Sequence, residues 1–370
     1  MKIIHIIPNL RKGGAEKLVL DIVKFLGMIE GNEVYLIVLK NEIEYPIDDL
    51  KHIIKIIPAS VQLSLFRKNK FNNKDLQNFI DDFKPDIVHS HLFYAEIVSR
   101  SCTYTKAKWF SHFHDNMKQF ENFNIINIFN RKLLLNYFEK KFLFKQYQKN
   151  NGNHFIAISN DTLNFAKSTC NGYPFSLLPN AIDISIYKRK KEIPNDIIRI
   201  INIGSFVAKK NQLFFIEIAN ILRAKKYAFE IVLLGDGIMY ELVKNKIIEN
   251  NLVEYFKMPG AVSNVNEYLN NANLYVHTAT SEPFGLVLIE AMAARLPVIS
   301  LDGKGNRDLI EEGKNGYMIY EEKPDLFVDK ILSLFNHKDH YNTISNYAEL
   351  FSMKYDMLPY IHKLVDLYEQ

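Results

Sequence analysis

The sequence predicts an α/β protein made of two doubly wound domains, each a parallel sheet with helices on both faces. The chain has 370 residues, which is more than one hydrophobic core usually serves. Apolar runs of strand length alternate with helical patterns, as is typical of parallel sheets. The alternation is interrupted once, at residues 188–196, and then begins again.

The first half contains six apolar runs that are too short for buried helices. We expect buried strands at 2–8, 33–39, 52–58, 86–91, 108–114 and 154–159. Helical patterns separate most of them, at about 15–27, 74–83 and 131–149. This order predicts the first sheet and its flanking helices.

The segment KRKKEIPND (188–196) is charged, contains proline and has no period, so it is interpreted as a linker. Strands are then expected at 197–204, 229–237, 273–279 and 296–302, with helices at about 211–223 and 239–250. We assign 1–185 to the first domain and 186–355 to the second. The last helix, 356–370, fits either domain, and packing back on the first is one option.

The composition is that of an ordinary soluble protein, with 48% hydrophobic and 24% charged residues. No apolar stretch reaches the roughly 20 residues of a membrane-spanning helix, and the N-terminal apolar run is too short for a signal peptide. Two cysteines do not make a disulfide framework. We therefore expect a cytoplasmic protein, and the net charge of +4 does not indicate nucleic-acid binding.

Ligands bind doubly wound sheets at the carboxyl ends of the strands, so two such domains facing each other would line a cleft with these loops. After the first strand, Gly13 and Gly14 precede a helical pattern. Glycines let a ligand approach the backbone, and amides at a helix start suit a phosphate. A tight turn is the alternative interpretation of the pair.

The second domain begins with a strand, Gly204, a short loop and then Lys210 before a helix. A lysine there can place its ammonium on a diphosphate, although a solvated surface lysine such as Lys209 is the alternative. The later segment LLGDG (233–237) lacks the third glycine of a dinucleotide fingerprint, so we interpret it mainly as a tight turn.

The segment SEPFGLVLIEAMA (281–293) carries two acids, Glu282 before a helix and Glu290 within an apolar helical run. The amides of Phe284, Gly285 and Leu286 would be donors at the helix start, suited to a diphosphate. A carboxylate accepts two hydrogen bonds from a vicinal diol such as a ribose. The alternatives are an exposed helix position for Glu290 and a simple helix-start acid for Glu282.

With these motifs the chain resembles a retaining glycosyltransferase of family 4, a group 1 glycosyl transferase with the GT-B fold of two facing Rossmann-like domains. The resemblance covers essentially the whole chain. Its most specific part is the E-x7-E element formed by Glu282 and Glu290. Supporting motifs are GGAE (13–16), LLPNAID (177–183), GSFVAKKN (204–211), LLGDG (233–237) and GKNGY (313–317).

The resemblance implies a role for each candidate residue. Glu290 would bind the ribose of a nucleotide sugar, and Glu282 the hydroxyls of the transferred sugar. Lys210 would neutralise the leaving diphosphate. His114 matches the family's cleft histidine near the sugar and acceptor. The remaining donor-binding positions are Gly13, Gly14, Ser205, Phe284, Gly285 and Leu286.

Three positions depart from the family pattern. Ser205 stands where the family usually has an arginine, so one phosphate-binding cation is missing. Arg295 replaces a glycine, and Asp308 replaces a glutamate found in many members. None of the three removes the central pair of acids.

The resemblance implies transfer from an α-linked nucleotide sugar with retention of configuration and without a metal ion or other cofactor. No acid stands out as a nucleophile, and Glu282 is not given that role. A UDP-hexose or UDP-N-acetylhexosamine is the first choice of donor, and GDP-mannose the second. The acceptor would be a glycan or a lipid-linked glycan in bacterial capsule or O-antigen synthesis.

Three other classes of protein are alternatives to a glycosyltransferase. A catalytically silent nucleotide-sugar-binding subunit is favoured by Ser205, but Glu282, Glu290, Lys210 and His114 argue against it. A sugar-nucleotide epimerase would not be expected to carry the E-x7-E element. A dehydrogenase lacks the expected G-x-G-x-x-G turn.

Two H-x-H pairs, His89/His91 and His112/His114, lie at the ends of predicted strands. Each pair places both rings on one face, which is a possible metal-ligand spacing. Because no cysteine or carboxylate completes a set, we expect no metal site. His114 would act in the cleft, while the other rings pack or hydrogen-bond.

Two stretches of the first domain are basic and aromatic, residues 129–149 and 66–70. A helix of this character can lie on an anionic membrane surface, whereas an apolar core face with solvated lysines is the alternative. Because the first domain usually binds the acceptor in this family, contact with the inner face of the cytoplasmic membrane is a hypothesis.

Overall fold

A computed structural model describes residues 1–121, 123–124, 129–150, 152–187 and 197–370. The chain forms two compact units, Met1–Asn180 with Met357–Gln370, and Ala181–Asp356. The sequence placed these divisions at 185/186 and 355/356. Its linker at 188–196 lies outside the described residues.

The first unit contains a seven-stranded parallel sheet with strand order β3-β2-β1-β6-β7-β8-β9. Its strands are β1 (Lys2–Ile7), β2 (Glu33–Val38), β3 (Ile54–Ile56), β6 (Ile87–His91), β7 (Lys108–Phe113), β8 (Asn153–Ala157) and β9 (Phe175–Leu177). A separate antiparallel pair consists of β4 (Ser60–Gln62) and β5 (Lys70–Asn72).

Helices connect these strands because a parallel pair needs a crossover. They are α1 (Gly14–Gly27), α2 (Lys74–Phe83), α3 (Leu92–Ser99), α4 (Arg131–Tyr147) and α5 (Asn160–Thr169). In α2, Leu76, Ile80 and Phe83 recur at helical spacing and are buried, so this stripe packs into the core. Strand β1 is buried over five consecutive residues, as expected of a sheet covered on both faces.

The C-terminal helix α12 (Met357–Glu369) belongs to the first unit and packs against α1. Its Tyr368 is 1% exposed. The Lys108 ammonium donates a hydrogen bond of 3.0 Å to the carbonyl oxygen of Tyr368. The first unit is therefore assembled from both ends of the sequence.

The second unit contains a six-stranded parallel sheet with strand order β12-β11-β10-β13-β14-β15. Its strands are β10 (Ile198–Ile203), β11 (Phe229–Leu234), β12 (Phe256–Gly260), β13 (Leu274–His277), β14 (Val298–Leu301) and β15 (Gly316–Ile319). Its helices are α6 (Phe214–Ala224), α7 (Tyr240–Glu249), α8 (Val265–Asn270), α9 (Leu286–Ala293), α10 (Pro324–Asn336) and α11 (Lys338–Ser352). Buried aliphatic and aromatic side chains from strands and helices form one core.

Candidate functional site

The loop from β13 to α9 carries both acids of the 281–293 segment. Gly285 is the residue before α9 and has φ of 105°, a left-handed conformation that glycine adopts without a Cβ penalty. Its carbonyl oxygen accepts a hydrogen bond of 2.9 Å from the Leu288 amide. The sharp turn at Gly285, three residues after Glu282, precedes the first helical residue Leu286 and places Glu290 on the second turn of α9.

The start of α9 offers backbone donors. The first amides of a helix have no intrahelical acceptors, and no side chain caps Gly285. Phe284, just before it, is 2% exposed and its ring lies 5.9 Å from that of Tyr355. Together with the positive end of the helix dipole, these amides suit an anion.

A second loop holds Glu282 in place. The Glu282 amide donates to the Gly303 carbonyl oxygen at 2.9 Å. A Cβ added at Gly305 would lie 2.0 Å from the carbonyl oxygen of Pro283, so only glycine permits this approach. Buried Asn306 accepts a hydrogen bond of 2.9 Å from the Gly303 amide. The backbone of the first acid is thus fixed from two sides.

The Glu282 carboxylate lies between two nitrogen groups. The Lys210 ammonium donates to its Oε2 at 2.5 Å, and His277 Nε2 lies 3.0 Å from the same oxygen. Burial alone would raise the pKa of Glu282, but Lys210 and His277 outweigh burial and hold it well below its usual range. Burial lowers the pKa of His277, although Glu282 partly opposes that shift. Glu282 is therefore an anion at neutral pH.

Lys210 reaches Glu282 because its loop is tied to the β13 loop. Thr278 Oγ1 donates to the Lys210 carbonyl oxygen at 3.0 Å, and the Thr280 amide donates to the Lys209 carbonyl oxygen at 2.9 Å. Ser205 in the same loop is exposed, and its carbonyl oxygen accepts from Gln212 Nε2 at 3.1 Å. The sequence did not predict this ion pair, and the alternative of a solvated surface lysine for Lys210 is wrong, because its side chain is only 16% exposed.

Glu290 is buried, with 5% of its surface exposed. The Tyr187 hydroxyl donates to Glu290 Oε1 at 2.9 Å. The alternative of an exposed helix position for Glu290 is therefore wrong. A carboxylate has two oxygens with about four lone-pair sites and can accept hydrogen bonds from a diol.

The glycine pair after β1 lies in the first unit. Gly13 precedes α1 with an extended backbone, and Gly14 is the first residue of that helix. The Gly13 amide donates to the Tyr45 hydroxyl at 3.1 Å, and that hydroxyl donates to the Gly13 carbonyl oxygen at 2.8 Å. Tyr45 therefore already engages one of the amides that the sequence assigned to a phosphate.

His114 follows β7 in the first unit and is 7% exposed. Its Nε2 lies 3.0 Å from Nδ1 of His91. Burial lowers the pKa of His114 to about 3, so the ring is neutral at physiological pH. It can form a hydrogen bond with a hydroxyl, but it does not supply a resident positive charge.

Sequence reasoning missed three residues that contact the predicted ones, namely His277, Tyr187 and Tyr45. His277 had a usable signal, because it ends a strand of a doubly wound sheet, where ligand sites lie. Tyr187 and Tyr45 gave none. Of the departures, Arg295 has φ of 60°, which explains why a glycine suits that position.

Two family profiles together match most of the chain. The profile described as "Glycosyl transferases group 1" matches residues 183–351, and "Glycosyltransferase Family 4" matches residues 12–186. The chain belongs to the group 1 glycosyltransferases. The sequence-based identification of this family is thereby confirmed.

This glycosyltransferase is similar to curated proteins over part of its length. It is 28% identical over 170 residues to an uncharacterized glycosyltransferase of Methanocaldococcus jannaschii, covering 45% of this chain and 47% of that protein. It is 32% identical over 136 residues to the poly(ribitol-phosphate) alpha-N-acetylglucosaminyltransferase of Staphylococcus aureus, covering 36% of this chain and 28% of that protein. The matched segments thus span less than half of either relative.

A solved structure shows the same fold. Anabaena Alr3699/HepE in complex with UDP and glucose aligns over 100% of both chains, with a TM-score of 0.77 and 16% identity. The predicted fold class of Rossmann-like domains in a GT-B glycosyltransferase is confirmed. Within the described part of this glycosyltransferase, no helix has the length and apolar character needed to cross a membrane.

Proposed function

We propose that this glycosyltransferase moves a hexose or N-acetylhexosamine from a UDP-sugar to a glycan or lipid-linked acceptor, with retained configuration and without a metal ion. The observation that carries the proposal is the buried, ionised Glu282 held by Lys210 and His277 directly before the uncapped start of α9. An anion-binding helix start beside a fixed carboxylate fits a ligand that joins a diphosphate to a sugar. The HepE structure, which holds UDP and glucose, supports the choice of UDP.

Each residue then has a defined task. Glu290, held by Tyr187, accepts hydrogen bonds from the ribose hydroxyls, and Glu282 does the same for the sugar. The amides of Phe284, Gly285 and Leu286 bind the diphosphate. Because an ammonium has three donors, Lys210 can keep Glu282 and also stabilise the charge that develops on the leaving phosphate.

The first unit contributes three further residues to the proposal. Gly13 and Gly14 would hold the diphosphate and sugar at the start of α1, and the Gly13 amide would exchange its hydrogen bond to Tyr45 for one to the ligand. His114, kept neutral by burial, would hydrogen-bond a hydroxyl of the sugar or acceptor. In the second unit, exposed Ser205 would donate a hydrogen bond where relatives place an arginine.

The acceptor would belong to bacterial surface polysaccharide synthesis, including capsule or O-antigen, carried out in the cytoplasm or at the inner face of its membrane. The poly(ribitol-phosphate)-modifying relative supports an acceptor of this class. If GDP binds more tightly than UDP, GDP-mannose replaces UDP-sugar as the donor.

Contact with an anionic membrane would follow from the basic, aromatic surface of residues 129–149 and 66–70. Phe129 is 96% exposed and Phe66 81% exposed. The ring of Phe71 stacks 5.8 Å from that of Phe142, which brings the β5 strand beside α4. Co-sedimentation with anionic liposomes at low salt tests the proposal, and equal recovery with neutral liposomes would contradict it.

Calorimetry of UDP and GDP binding in the presence of a chelator tests the donor site. Glu290→Gln keeps the volume of the side chain but loses a charge-assisted hydrogen bond, so UDP affinity should fall about 10- to 100-fold. Glu241→Ala, at an exposed position of α7, is the control. Unchanged UDP affinity in Glu290→Gln would contradict the ribose assignment.

A catalytically silent nucleotide-sugar-binding subunit is the second candidate, favoured by Ser205. Such a subunit would bind UDP as the enzyme does, so turnover of a nucleotide sugar distinguishes the subunit from the enzyme. Slow hydrolysis of UDP-sugars with retained anomeric configuration, followed by NMR, is expected of the transferase. Tight UDP binding without turnover of any tested UDP- or GDP-sugar, with or without glycan acceptors, would favour the silent subunit.

A further inference from the structure

Five histidines meet on one face of the sheet in the first unit. His5 comes from β1, His89 and His91 from β6, and His112 with His114 from the end of β7. Side chains two residues apart on a strand share a face, and the register pairs His5 with His89 and His91 with His112. The ring centroids of His112 and His114 are 4.3 Å apart, and those of His91 and His112 are 5.3 Å apart.

One part of this cluster is linked by hydrogen bonds, although Nε2 of His89 has no partner within the described residues. Nε2 of His91 lies 2.8 Å from Nδ1 of His5. The other nitrogen of His5 lies 3.3 Å from the Tyr368 hydroxyl, which in turn lies 2.6 Å from Nδ1 of His89. The series can run in either direction. In one of the two, His91 Nε2–H donates to His5, His5 donates to Tyr368 and Tyr368 donates to His89. In these tautomers, Nδ1 of His91 carries a lone pair.

The other part of the cluster is not satisfied. Within the described residues, both ring nitrogens of His112 and Nδ1 of His114 have no hydrogen-bond partner. His112 is 1% exposed. Buried polar atoms almost always have a protein, water or ion partner. His112 and His114 each have a ring nitrogen without a partner, and Nδ1 of His91 faces Nε2 of His114. These three rings therefore indicate a bound species that bonds to nitrogen.

We propose that His91, His112 and His114 bind one divalent transition-metal ion, with zinc as the expected occupant. One ligand atom from each ring lies within 4.8 Å of the others. Nitrogens on a tetrahedral zinc ion are about 3.4 Å apart when each bond is about 2.05 Å. Nδ1 of His91 and Nε2 of His114 are already 3.0 Å apart, so small rotations of the rings complete the set.

The chemistry of the site agrees with this class of ion. Imidazole nitrogen suits zinc, copper, nickel and cobalt, whereas magnesium and calcium require oxygen. A metal-bound histidine usually donates its other N–H to a fixed acceptor, and the hydrogen bond from His91 to His5 is of this kind. A water completes the fourth position.

The ion is separate from the proposed sugar transfer, which uses no metal. Nε2 of His114 would bind the ion, and its Nδ1, which has no hydrogen-bond partner among the described residues, would make the hydroxyl contact proposed above. The sequence predicted no metal site because no cysteine or carboxylate completes either H-x-H pair. The register of β6 and β7 removes that objection, because one pair supplies His91 and the other supplies His112 and His114. Three imidazoles are a sufficient protein ligand set for zinc.

The test is the metal content of the tag-free full chain, measured by mass spectrometry after unfolding in chelator, refolding with Zn²⁺ and gel filtration. The wild type should hold about one zinc per chain. His112→Phe keeps an aromatic ring in the stack and should hold less than about a tenth. His154→Phe is the matched control, because His154 lies on β8 of the same sheet and bonds to Ser176; it should bind like the wild type.

Refolding with Co²⁺ gives a second readout that does not depend on a variant. Wild type should show the visible absorption bands of four-coordinate cobalt and a higher urea midpoint by fluorescence of Trp109, which lies on β7. Refolded wild type that holds no zinc and shows no cobalt bands would overturn the proposal. Equal zinc in wild type and His112→Phe would overturn it as well.

Discussion

Replacing Lys210 by methionine tests whether the Glu282 carboxylate depends on its ammonium partner. The two side chains are 16% and 9% exposed and lie 2.5 Å apart. Methionine keeps most of the apolar stem but removes the charge. Glu282 then remains buried with His277 as its only nitrogen neighbour among those described above.

Removing one partner of a buried ion pair commonly costs about 3–5 kcal/mol, but proton uptake limits the loss here. Protonating Glu282 at pH 7 from its ordinary pKa of 4.5 costs about 3.4 kcal/mol. Protonating His277 from its ordinary pKa of 6.5 costs about 0.7 kcal/mol, before the penalty for burying the cation. The expected loss in unfolding free energy is therefore about 2 kcal/mol at pH 7.

The loss should shrink as the pH falls. In the wild type, the depressed pKa of Glu282 contributes stability that is present above the ordinary carboxyl pKa and lost as pH falls toward the folded value. In Lys210→Met, either Glu282 or His277 must take up a proton, and the free-energy cost of protonation falls as the pH falls. At pH 5, protonating Glu282 costs about 0.7 kcal/mol and protonating His277 costs almost nothing. The expected loss in unfolding free energy at pH 5 is therefore below about 1 kcal/mol.

Hydrogen exchange followed by mass spectrometry is the suitable assay, because the single tryptophan, Trp109, lies in the first unit and does not report on the second. Peptides covering β13 and α9 give the free energy of opening around the site. Lys209→Met, at the exposed neighbouring lysine, should change it by less than about 0.5 kcal/mol.

An NMR titration of His277 identifies the proton acceptor. The Lys210 ammonium disfavours the imidazolium, so the pKa of His277 should rise in Lys210→Met. Adding Glu282→Gln removes the unpaired charge and should restore most of the lost stability. A loss below about 0.5 kcal/mol at both pH 7 and pH 5 would refute the buried ion pair.

Substitutions at three further positions test separate contacts. Tyr187→Phe removes the donor to Glu290, so UDP affinity by calorimetry should fall about 3- to 10-fold; equal affinity would rule out an orienting role. Gly305→Ala places a Cβ against the Pro283 carbonyl and should cost about 2 kcal/mol by hydrogen exchange of α9. A cost near zero would contradict that close approach. Arg295→Gly and Arg295→Ala both lose the Glu349 ion pair, but glycine relieves the positive φ and should be more stable than alanine by about 1 kcal/mol. Equal stabilities would show that the backbone is unstrained there.

The long buried strands were predictable because parallel strands covered on both faces are continuous apolar runs, as β1 and β10 are. Five strands were not predicted from the sequence, namely β4, β5, β9, β12 and β15. The first three have only three residues each, most of them partly or fully exposed, and β12 and β15 have five and four residues. Such short segments carry no clear period.

The candidate site was partly predictable. An acid inside an apolar run pointed to Glu290, and a lysine after a strand pointed to Lys210. Their contacts were not predictable, because Lys210 and Glu282 are 72 positions apart, and Tyr187 and Glu290 are 103 positions apart. The H-x-H spacing predicted a shared face within each pair, but only the folded chain brings in His5 and Tyr368, from opposite ends of the sequence.

The position of α12 has a consequence for synthesis on the ribosome. Tyr368 completes the buried face of the first unit, yet it is translated after all of Ala181–Asp356. At about 5–20 residues per second, those 176 residues take about 9–35 seconds. During that interval the nascent first unit exposes the imidazoles and apolar side chains that α12 will cover. We therefore expect chaperones to bind the nascent first unit until α12 emerges, even though the sheet of that unit has long been available to fold.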